Sequence, residues 1–270
     1  MQDEARKPVI EFERVALAFE EKVVLEGISF FLERGETKIV LGATGSGKSL
    51  LLKLTMGLLK PDSGRIFVLG EEITRLSEEE MFPIRQKIGM VFQEGALFDS
   101  LTVGENVGSV FERVSEISHE ESERRAREAL SFVGLEHTFD LFPSEISGGM
   151  RRRVAIARAI VSQPEVVLYD SPTAGLDPIT ATRIMTLIVK QRDMRQVSSL
   201  LVTHRVQDAW RMALSYYDPV QNKLLPTTGN GSRHDTRTRF LVLRDGEIAF
   251  HGSLRELGAE PDPYVQKFLT

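Results

Sequence analysis

The feature that most constrains the fold of this chain is a glycine-rich stretch, GATGSGKS, at residues 42–49. It fits the pattern G-x-x-x-x-G-K-[ST] and directly follows the apolar run KIVL. The residues after it, LLLKLTMGLL, carry apolar side chains near helical spacing. A phosphate-binding loop needs both the strand before it and the helix after it, whereas an ordinary glycine turn needs neither. We therefore predict a strand, a phosphate-binding loop and a helix over residues 37–59.

The chemistry of this loop is nucleotide binding. Glycines let backbone N–H groups turn inward around phosphate oxygens, and the N-terminus of the following helix adds a positive partial charge. Lys48 would reach the β- and γ-phosphates, and the Ser49 hydroxyl would bind Mg²⁺. The nucleotide-binding residues predicted from this stretch are Gly42, Ala43, Thr44, Gly45, Ser46, Gly47, Lys48, Ser49 and Leu50.

The apolar run VVLYD ends at Asp170, which is the natural second half of this site. A carboxylate at the end of a buried strand can hold Mg²⁺ through its water shell, as the corresponding aspartate does in P-loop enzymes. Such an acid could instead merely cap the next turn. The loop upstream favours the metal role for Asp170, together with Ser49.

Strands that alternate with helices predict an α/β fold of the P-loop NTPase class, built on a mainly parallel, doubly wound sheet. Near the N-terminus, VIEFERVALAF and VVLEGISFFLE alternate apolar and polar residues on either side of the polar break EEK, which predicts an antiparallel β subdomain. Residues 93–163 are helical and charged, and we interpret them as an inserted α-helical subdomain. Residues 1–92 and 164–270 would form the nucleotide-binding core of one single domain.

Several local features add detail to this plan. Ser118, with Glu121 three residues later, matches a capping box at a helix start, and a hairpin is expected to turn at residues 245–246. The basic cluster at residues 151–153 is expected to be a solvated helix face. Residues 215–239 are rich in Gly, Asn, Thr and charge and predict an irregular insertion, either a plain solvated loop or a partner-docking loop.

Composition excludes several classes of protein. The net charge is −5, which argues against a general affinity for nucleic acid backbones. The chain has no cysteine, so disulfides and thiolate metal sites are excluded. The N-terminus is polar, and no apolar stretch approaches the ~18 residues that a membrane span needs. If the protein works at a membrane, another chain must provide the spanning part.

The sequence ISGGM at residues 146–150 resembles the LSGGQ signature of ATP-binding cassette (ABC) ATPases. Physically it is a second anion-binding loop, made of a serine hydroxyl and glycine N–H groups at a helix N-terminus. Since Lys48 and Asp170 already occupy one side of a nucleotide, a second such loop makes sense if it closes on the nucleotide of another subunit. The resemblance covers nearly the whole chain. It implies a RecA-like core, ATP and Mg²⁺ as cofactors, and a homodimer that sandwiches two ATP molecules head to tail.

The resemblance also implies roles for residues outside the P-loop. Phe19 resembles the aromatic residue that stacks on adenine. Gln93 resembles the Q-loop glutamine that contacts Mg²⁺ and water and senses the membrane partner. His204, at the end of LLVTH, resembles the switch histidine that touches the γ-phosphate. The further nucleotide contacts that it implies are Ser147, Gly148 and Gly149 of the signature and Asp177 of the D-loop, AGLD.

Ser171 departs from the family pattern, because ABC ATPases normally place a glutamate directly after the strand aspartate to activate water. A hydroxyl is not a useful base near neutral pH, and losing a positioned base typically costs ~10² to 10⁴ in rate. With Gln93 and His204 as the other catalytic residues, we hypothesise tight ATP binding, nucleotide-driven dimerisation and slow hydrolysis. Gln93 or His204 could instead position water well enough, or this copy could carry a changed residue. Arg205 is a second departure from the family pattern, because ABC ATPases often have Asp directly after the switch histidine.

A finer resemblance lies in VFQEGALFDSLTVGENV (91–107) and FPSEISGGMRRRVAIARAI (142–160). These stretches are similar to the ATPases of lipid-asymmetry (Mla, MCE-associated) transporters, which move phospholipids or related lipids between bacterial membranes. The resemblance implies a peripheral subunit at the cytoplasmic face of the inner membrane. Its partners would be integral-membrane permease subunits, contacted through residues 93–115, and an MCE-type lipid-binding subunit.

The sequence leaves three alternatives to a lipid-transporter ATPase open. A relative that imports amino acids or polar organic solutes is the main competitor within the family. A non-hydrolysing, ATP-dependent dimerisation module or sensor is supported by Ser171 alone. ABC ATPases of DNA repair, chromosome organisation or translation fit less well, because the chain has one P-loop, one signature and no sustained heptads.

Overall fold

The computed structural model describes residues 8–112, 114, 116–229, 232–233 and 236–269. The other residues of the predicted core, helical subdomain and insertion lie outside the described residues. The strands are β1 Ile10–Phe19, β2 Lys22–Leu32, β3 Thr37–Gly42, β4 Ser63–Val68, β5 Glu71–Glu72, β6 Ile88–Val91, β7 Val166–Asp170, β8 Ser198–Val202, β9 Ser215–Asp218, β10 Lys223–Pro226, β11 Thr228–Gly229, β12 Ser232–Arg233, β13 Thr238–Arg244 and β14 Glu247–Ser253. The helices are α1 Lys48–Thr55, α2 Glu78–Arg85, α3 Val103–Gly108, α4 His119–Phe132, α5 Gly148–Ile160, α6 Pro178–Arg195, α7 Val206–Leu214, α8 Leu254–Ala259 and α9 Pro263–Gln266.

The centre of the fold is a six-stranded sheet with the order β14-β13-β3-β8-β7-β6. Five of its strands are parallel, and β14 joins as an antiparallel edge strand through a hairpin. Every residue of β3 and β8 is buried, as expected for strands covered on both faces. The predicted P-loop α/β fold is confirmed. Because carboxyl ends of parallel strands meet at one edge, the P-loop after β3, Asp170 at the end of β7 and His204 just after β8 come together there.

A second sheet, with the order β2-β1-β4-β5, forms the predicted antiparallel β subdomain. The polar break between β1 and β2 is the expected turn, with Phe19 paired to Lys22. Phe12 of β1 and Phe30 of β2 stack on the buried face with ring centroids 4.8 Å apart. Such an aromatic pair is worth ~0.5–1.5 kcal/mol beyond its buried area. The alternation of apolar residues in these strands therefore predicts both their pairing and their buried face.

Helices α3, α4 and α5 occupy the segment predicted as the helical subdomain and share one hydrophobic core with the main sheet. Ser118 caps α4 by accepting a hydrogen bond from the Glu121 amide at 3.2 Å. The Glu121 carboxylate instead binds Arg124 and Arg125 at 2.6–2.7 Å, which lowers its pKa to about 2. The cap is therefore confirmed, but the reciprocal bond of a capping box is replaced by ion pairs along the helix.

The prediction of an irregular insertion at residues 215–239 is wrong where the described residues form strands, in β9, β10, β11, β12 and the start of β13. β9 and β10 form an antiparallel hairpin over residues 215–226. The Arg192 guanidinium of α6 donates to the Ser215 carbonyl at 2.7 Å, and Asp193 accepts from the Tyr217 amide at 2.7 Å. The physical reason is that SYYD and KLLP flank a turn, DPVQN, closed by Asp218. Long-range contacts with α6 then stabilise strands that composition alone does not suggest.

No helix among the described residues is long and apolar enough to cross a membrane.

Candidate functional site

The P-loop, residues 42–49, connects β3 to α1 in a conformation that depends on its glycines. Gly42 has φ +153° and Gly47 has φ +94°, which residues with a Cβ rarely adopt. A Cβ on Gly42 would also lie 2.6 Å from the Leu243 carbonyl oxygen. Residues 43–45 are exposed at the mouth of the loop. The loop thus presents open backbone directly before the N-terminus of α1, the arrangement that binds phosphate.

Lys48 lies over this loop with its ammonium group held by main-chain oxygens. Its Nζ donates to the Gly42 carbonyl at 2.9 Å and to the Ala43 carbonyl at 2.6 Å. Burial lowers the pKa of Lys48, and the charge of Asp170 opposes that shift. An ammonium group held by neutral carbonyls can exchange them for anionic phosphate oxygens, which are stronger acceptors. This position suits a phosphate ligand, and that role of Lys48 stays a prediction.

Two of the three predicted metal ligands, Ser49 and Asp170, are in contact. The Ser49 hydroxyl, on α1, donates to Asp170 Oδ1, at the end of β7, at 2.9 Å. Within the described part of the chain, no cluster of three or more His, Asp or Glu could hold a metal ion alone. The hydroxyl and carboxylate oxygens of Ser49 and Asp170 suit Mg²⁺, a hard ion that binds through one or two protein oxygens together with substrate phosphates and water. Gln93, the third predicted ligand, is exposed two residues after β6.

Ser171 continues β7 into a tight turn. Its amide donates to the Val202 carbonyl at 2.8 Å, and its carbonyl accepts from the Ala174 amide at 3.0 Å. Its φ is +45°, and its side chain is buried. The backbone beside Asp170 is therefore fixed to the neighbouring strand β8, although the side chain offers no carboxylate at the position where family members carry glutamate.

His204, the predicted switch residue, is exposed two residues beyond β8. The turn that carries it is organised by Asp208, which sequence reasoning missed. Asp208 accepts hydrogen bonds from the hydroxyls of Thr173 and Thr203, and burial raises its pKa. The motif around Asp170 and the switch region are thereby joined through one buried carboxylate.

The signature residues lie at the start of α5. Ser147 caps this helix by accepting from the Met150 amide at 3.3 Å, and both Ser147 and Gly148 are exposed. A Cβ on Gly149 would lie 2.7 Å from Thr180 Cγ2, so glycine allows α5 to pack closely on α6. Among the described residues, no hydrogen bond joins the signature to the P-loop of the same chain. The two anion-binding loops remain separate surfaces of one molecule.

Two further predicted contacts are exposed. Phe19 ends β1 with 47% of its surface accessible, as a stacking platform for a base requires. Asp177 caps α6 by accepting from the amides of Ile179 and Thr180, both at 3.0 Å. Hydrogen bonds to Asp177, chiefly those from Thr180, lower its pKa. Asp177 therefore has a structural role, and its predicted nucleotide contact stays a prediction.

The expectation that residues 151–153 form a solvated helix face is wrong for Arg152, which is only 8% exposed. Its guanidinium donates to the carbonyls of Phe92, at 3.4 Å, and Ala174, at 3.3 Å. The helical period indicates this burial, since Arg152 precedes the buried Ile156 by four residues and so lies on the same face of the helix. Burial lowers the pKa of Arg152, and the Glu94 charge opposes the shift.

The C-terminal helix α9 contributes Tyr264 to the P-loop, a contact that the sequence did not suggest. The Tyr264 hydroxyl accepts from the Ala43 amide at 3.1 Å and donates to the Leu243 carbonyl at 2.8 Å. It thereby ties the first turn of the loop to the end of β13.

Replacing Tyr264 with phenylalanine removes these two bonds and keeps the ring. Since a neutral hydrogen bond contributes ~1 kcal/mol, we expect the Kd for ATP to rise about 3- to 10-fold. Titration with a fluorescent ATP analogue measures this. Tyr216→Phe, in the hairpin, is the matched control and should leave the Kd unchanged. Equal affinities for all three proteins would contradict a role of Tyr264 in the loop.

Comparison with known proteins agrees with this geometry. The family model described as ABC transporter matches residues 25–174. The Arabidopsis thaliana protein named trigalactosyldiacylglycerol 3, chloroplastic, is 38% identical over 97% of this chain and 73% of its own length. A methionine import ATP-binding protein of Bifidobacterium longum is 36% identical over 76% of this chain, which spans 53% of that relative. A solved dimeric ATP-binding cassette, bound to ADP and phosphate after hydrolysis, is 30% identical with a TM-score of 0.75, covering 91% of this chain and 99% of its own.

Proposed function

We propose, from the premise that this chain belongs to the ABC transporter family, that it is the energy-coupling subunit of a lipid transporter. As an ABC cassette the chain is an ATPase that uses ATP and Mg²⁺. The observation that carries the energy-coupling part of the proposal is the contact between Ser49 and Asp170, 2.9 Å long, beside Lys48 on the P-loop. These three side chains supply the cation and the hard oxygens that a magnesium nucleotide needs.

We propose that two copies of the chain close around two ATP molecules. The exposed signature at the start of α5 supports this, because its serine and glycine N–H groups are separate from the P-loop of the same chain. A second copy placed by two-fold symmetry would bring its signature to the phosphates held by Lys48, and the reverse. His204 and Gln93 lie exposed at the same edge of the sheet, where each can contact the γ-phosphate or its water.

The proposed cargo is a phospholipid or a related lipid. The stretches at 91–107 and 142–160 support it, as does the 38% identity over 97% of the chain to a protein whose name is that of a glycolipid. Import of methionine or another small solute is the second candidate. It is favoured by several methionine import relatives that are 36–41% identical. An MCE-type lipid-binding subunit belongs to the first candidate only.

We propose that the permease docks in a groove between the helical subdomain and β6. The groove encloses about 760 Å³, and Phe98 and Val110 on its lining are 55% and 37% exposed. Exposed apolar surface of this kind typically marks a protein-interaction site. It lies beside Gln93, so a permease segment seated there would sense the nucleotide site. Such docking would hold the chain peripherally at the cytoplasmic face of the membrane.

Phe98→Glu should therefore release the chain from the membrane while leaving ATP affinity within about twofold. A charge placed in an apolar interface costs several kcal/mol, equivalent to at least about a 100-fold loss of association. Met194→Glu replaces a comparably exposed apolar residue, 53% accessible, outside the groove and is the control. Membrane fractionation and nucleotide titration give the two readouts. Membrane association of Phe98→Glu at the level of the control would rule out this docking site.

Affinity purification from native membranes, followed by identification of the bound subunits and lipids, tests the proposed function. A permease that co-purifies with an MCE-type subunit and with phospholipid supports lipid transport. A permease with a solute-binding protein supports import of a small solute. An ATP-dependent dimer with no membrane partner overturns both in favour of a nucleotide sensor.

A further inference from the structure

Two arginines that neither touch the P-loop nor belong to the predicted site converge on one segment, residues 171–177, which we name the D-loop segment. The first is Arg152, on the signature helix α5. One of its terminal nitrogens donates to the Ala174 carbonyl at 3.3 Å, and the other to the Phe92 carbonyl at 3.4 Å. Phe92 directly precedes Gln93. A single buried guanidinium therefore links the signature helix, the Q-loop and the D-loop segment.

The second is Arg205, next to the switch residue His204. Its Nη1 donates to the Thr173 carbonyl at 3.1 Å and reaches the Leu176 carbonyl at 3.5 Å. Its own amide donates to the Thr203 hydroxyl at 3.0 Å, which fixes its position on the loop before α7. The D-loop segment is thus held from the helical subdomain by Arg152 and from the switch region by Arg205.

The chemistry of these contacts favours a positioning role. A guanidinium can hold two acceptors at once in a fixed fork, which an ammonium cannot do. Buried charges that lose their partners are costly, so Arg152 must keep carbonyl acceptors in whatever position the segment takes. Both arginines bind main-chain oxygens rather than side chains. Movement of the signature helix or of the switch loop therefore moves the backbone that follows Ser171.

We propose that Arg152 and Arg205 are positioning residues that hold the D-loop segment from two sides, so that the signature helix, the Q-loop and the switch region move together when ATP closes the dimer. This inference rests on the proposed ATP-driven dimer. Neither arginine contacts the nucleotide. Both act through the carbonyls of the segment that lies between Asp170 and α6.

The test compares Arg152→Gln, Arg205→Gln and the double variant with matched controls. Arg153→Gln removes a guanidinium that donates to the Val133 carbonyl within the helical subdomain, and Arg211→Gln removes one that donates to Thr182 from α7. Hydrogen exchange at the Ala174 and Leu176 amides, both hydrogen-bonded within the segment, reports its rigidity without nucleotide. ATP affinity and ATP-driven dimerisation, by fluorescence titration and sedimentation, report the function.

We expect each single variant to speed exchange at these amides at least about 10-fold and to weaken ATP-driven dimerisation by about 10-fold, with the Kd for ATP changed less than twofold. Because the segment is fixed only while both sides hold it, ATP-driven dimerisation of the double variant should be weakened about as much as that of one single variant. Arg152→Lys should not restore dimerisation, since it can hold only one carbonyl.

Three outcomes would overturn the positioning role. They are unchanged hydrogen exchange in the variants, a double variant whose fold-loss of dimerisation equals the product of the two single losses, and equal losses in the controls. A parallel drop in ATP affinity would also overturn it, because that would show general loss of structure. If the unmodified protein binds no ATP or never dimerises, the proposed function fails instead, and the exchange measurement still decides whether the arginines hold the segment.

Discussion

Replacing Ser171 with glutamate should raise ATP turnover by about 10²-fold or more, because it supplies the positioned base that the site lacks. The rest of the machinery is in place: Lys48 lies on the P-loop, and Ser49 contacts Asp170 at 2.9 Å. The backbone of Ser171 is already fixed by its bond to Val202, so a new side chain starts from a defined position. Steady-state phosphate release at saturating ATP measures the gain.

Ser171→Gln is the control for this experiment. Glutamine has the size of glutamate, and both must adopt the same positive φ at this position. Because its amide is not a base, turnover should stay at the level of the unmodified chain. A gain for both variants would assign the effect to packing. Equal, rapid turnover of the serine and glutamate forms would show instead that another group, such as Gln93 or His204, already positions the water.

Asp170→Asn should lower hydrolysis by at least about 100-fold and abolish the gain in ATP affinity that Mg²⁺ provides. Groups that hold a metal ion through its bound ligands contribute up to about 100-fold to metal affinity or activity, and Asp170 also contacts the Ser49 hydroxyl, the other predicted metal partner. Asparagine keeps an oxygen for the Ser49 hydroxyl, so the fold should persist. Titration of ATP at increasing Mg²⁺ gives the readout.

Asp62→Asn is the matched control for the loss of one carboxylate. Asp62 accepts from the Ala18 amide at 2.6 Å outside the P-loop site, and asparagine preserves that acceptor. We expect its Mg²⁺ dependence to equal that of the unmodified protein. An unchanged Mg²⁺ dependence in Asp170→Asn would show that the metal is held elsewhere.

The segments that carry the predicted site residues could be found from the sequence because their signals are short-range. The P-loop, its strand and its helix are contiguous, and Asp170 follows a run of four buried residues. Parallel pairing of β3, β8 and β7 then brings these separate segments to one edge. The fold class follows from the same alternation of strands and helices.

Most of the contacts that the sequence did not predict are long-range, although Asp208 also binds Thr203 only five positions away. Tyr264 reaches Ala43 across 221 positions of the chain, and Arg152 reaches Phe92 across 60. The β9–β10 hairpin is stabilised by Arg192, which no local pattern of residues 215–226 reveals. Two of these features have a local signal in the sequence: the spacing of Arg152 from Ile156 indicates burial, and the turn DPVQN is typical of a hairpin.

In the proposed dimer, each ATP site combines the P-loop of one copy with the signature of another. Mixing two inactive variants, Lys48→Ala and Ser147→Arg, tests it, because a mixed dimer contains one site with neither change. With equal amounts and random pairing, half of the dimers are mixed and half of their sites are intact, so about a quarter of the ATP trapped by the unmodified protein should return. Retention of radiolabelled ATP after rapid gel filtration gives the measurement. Recovery near that level supports the shared site, and a mixture that traps no more ATP than either variant alone would contradict it.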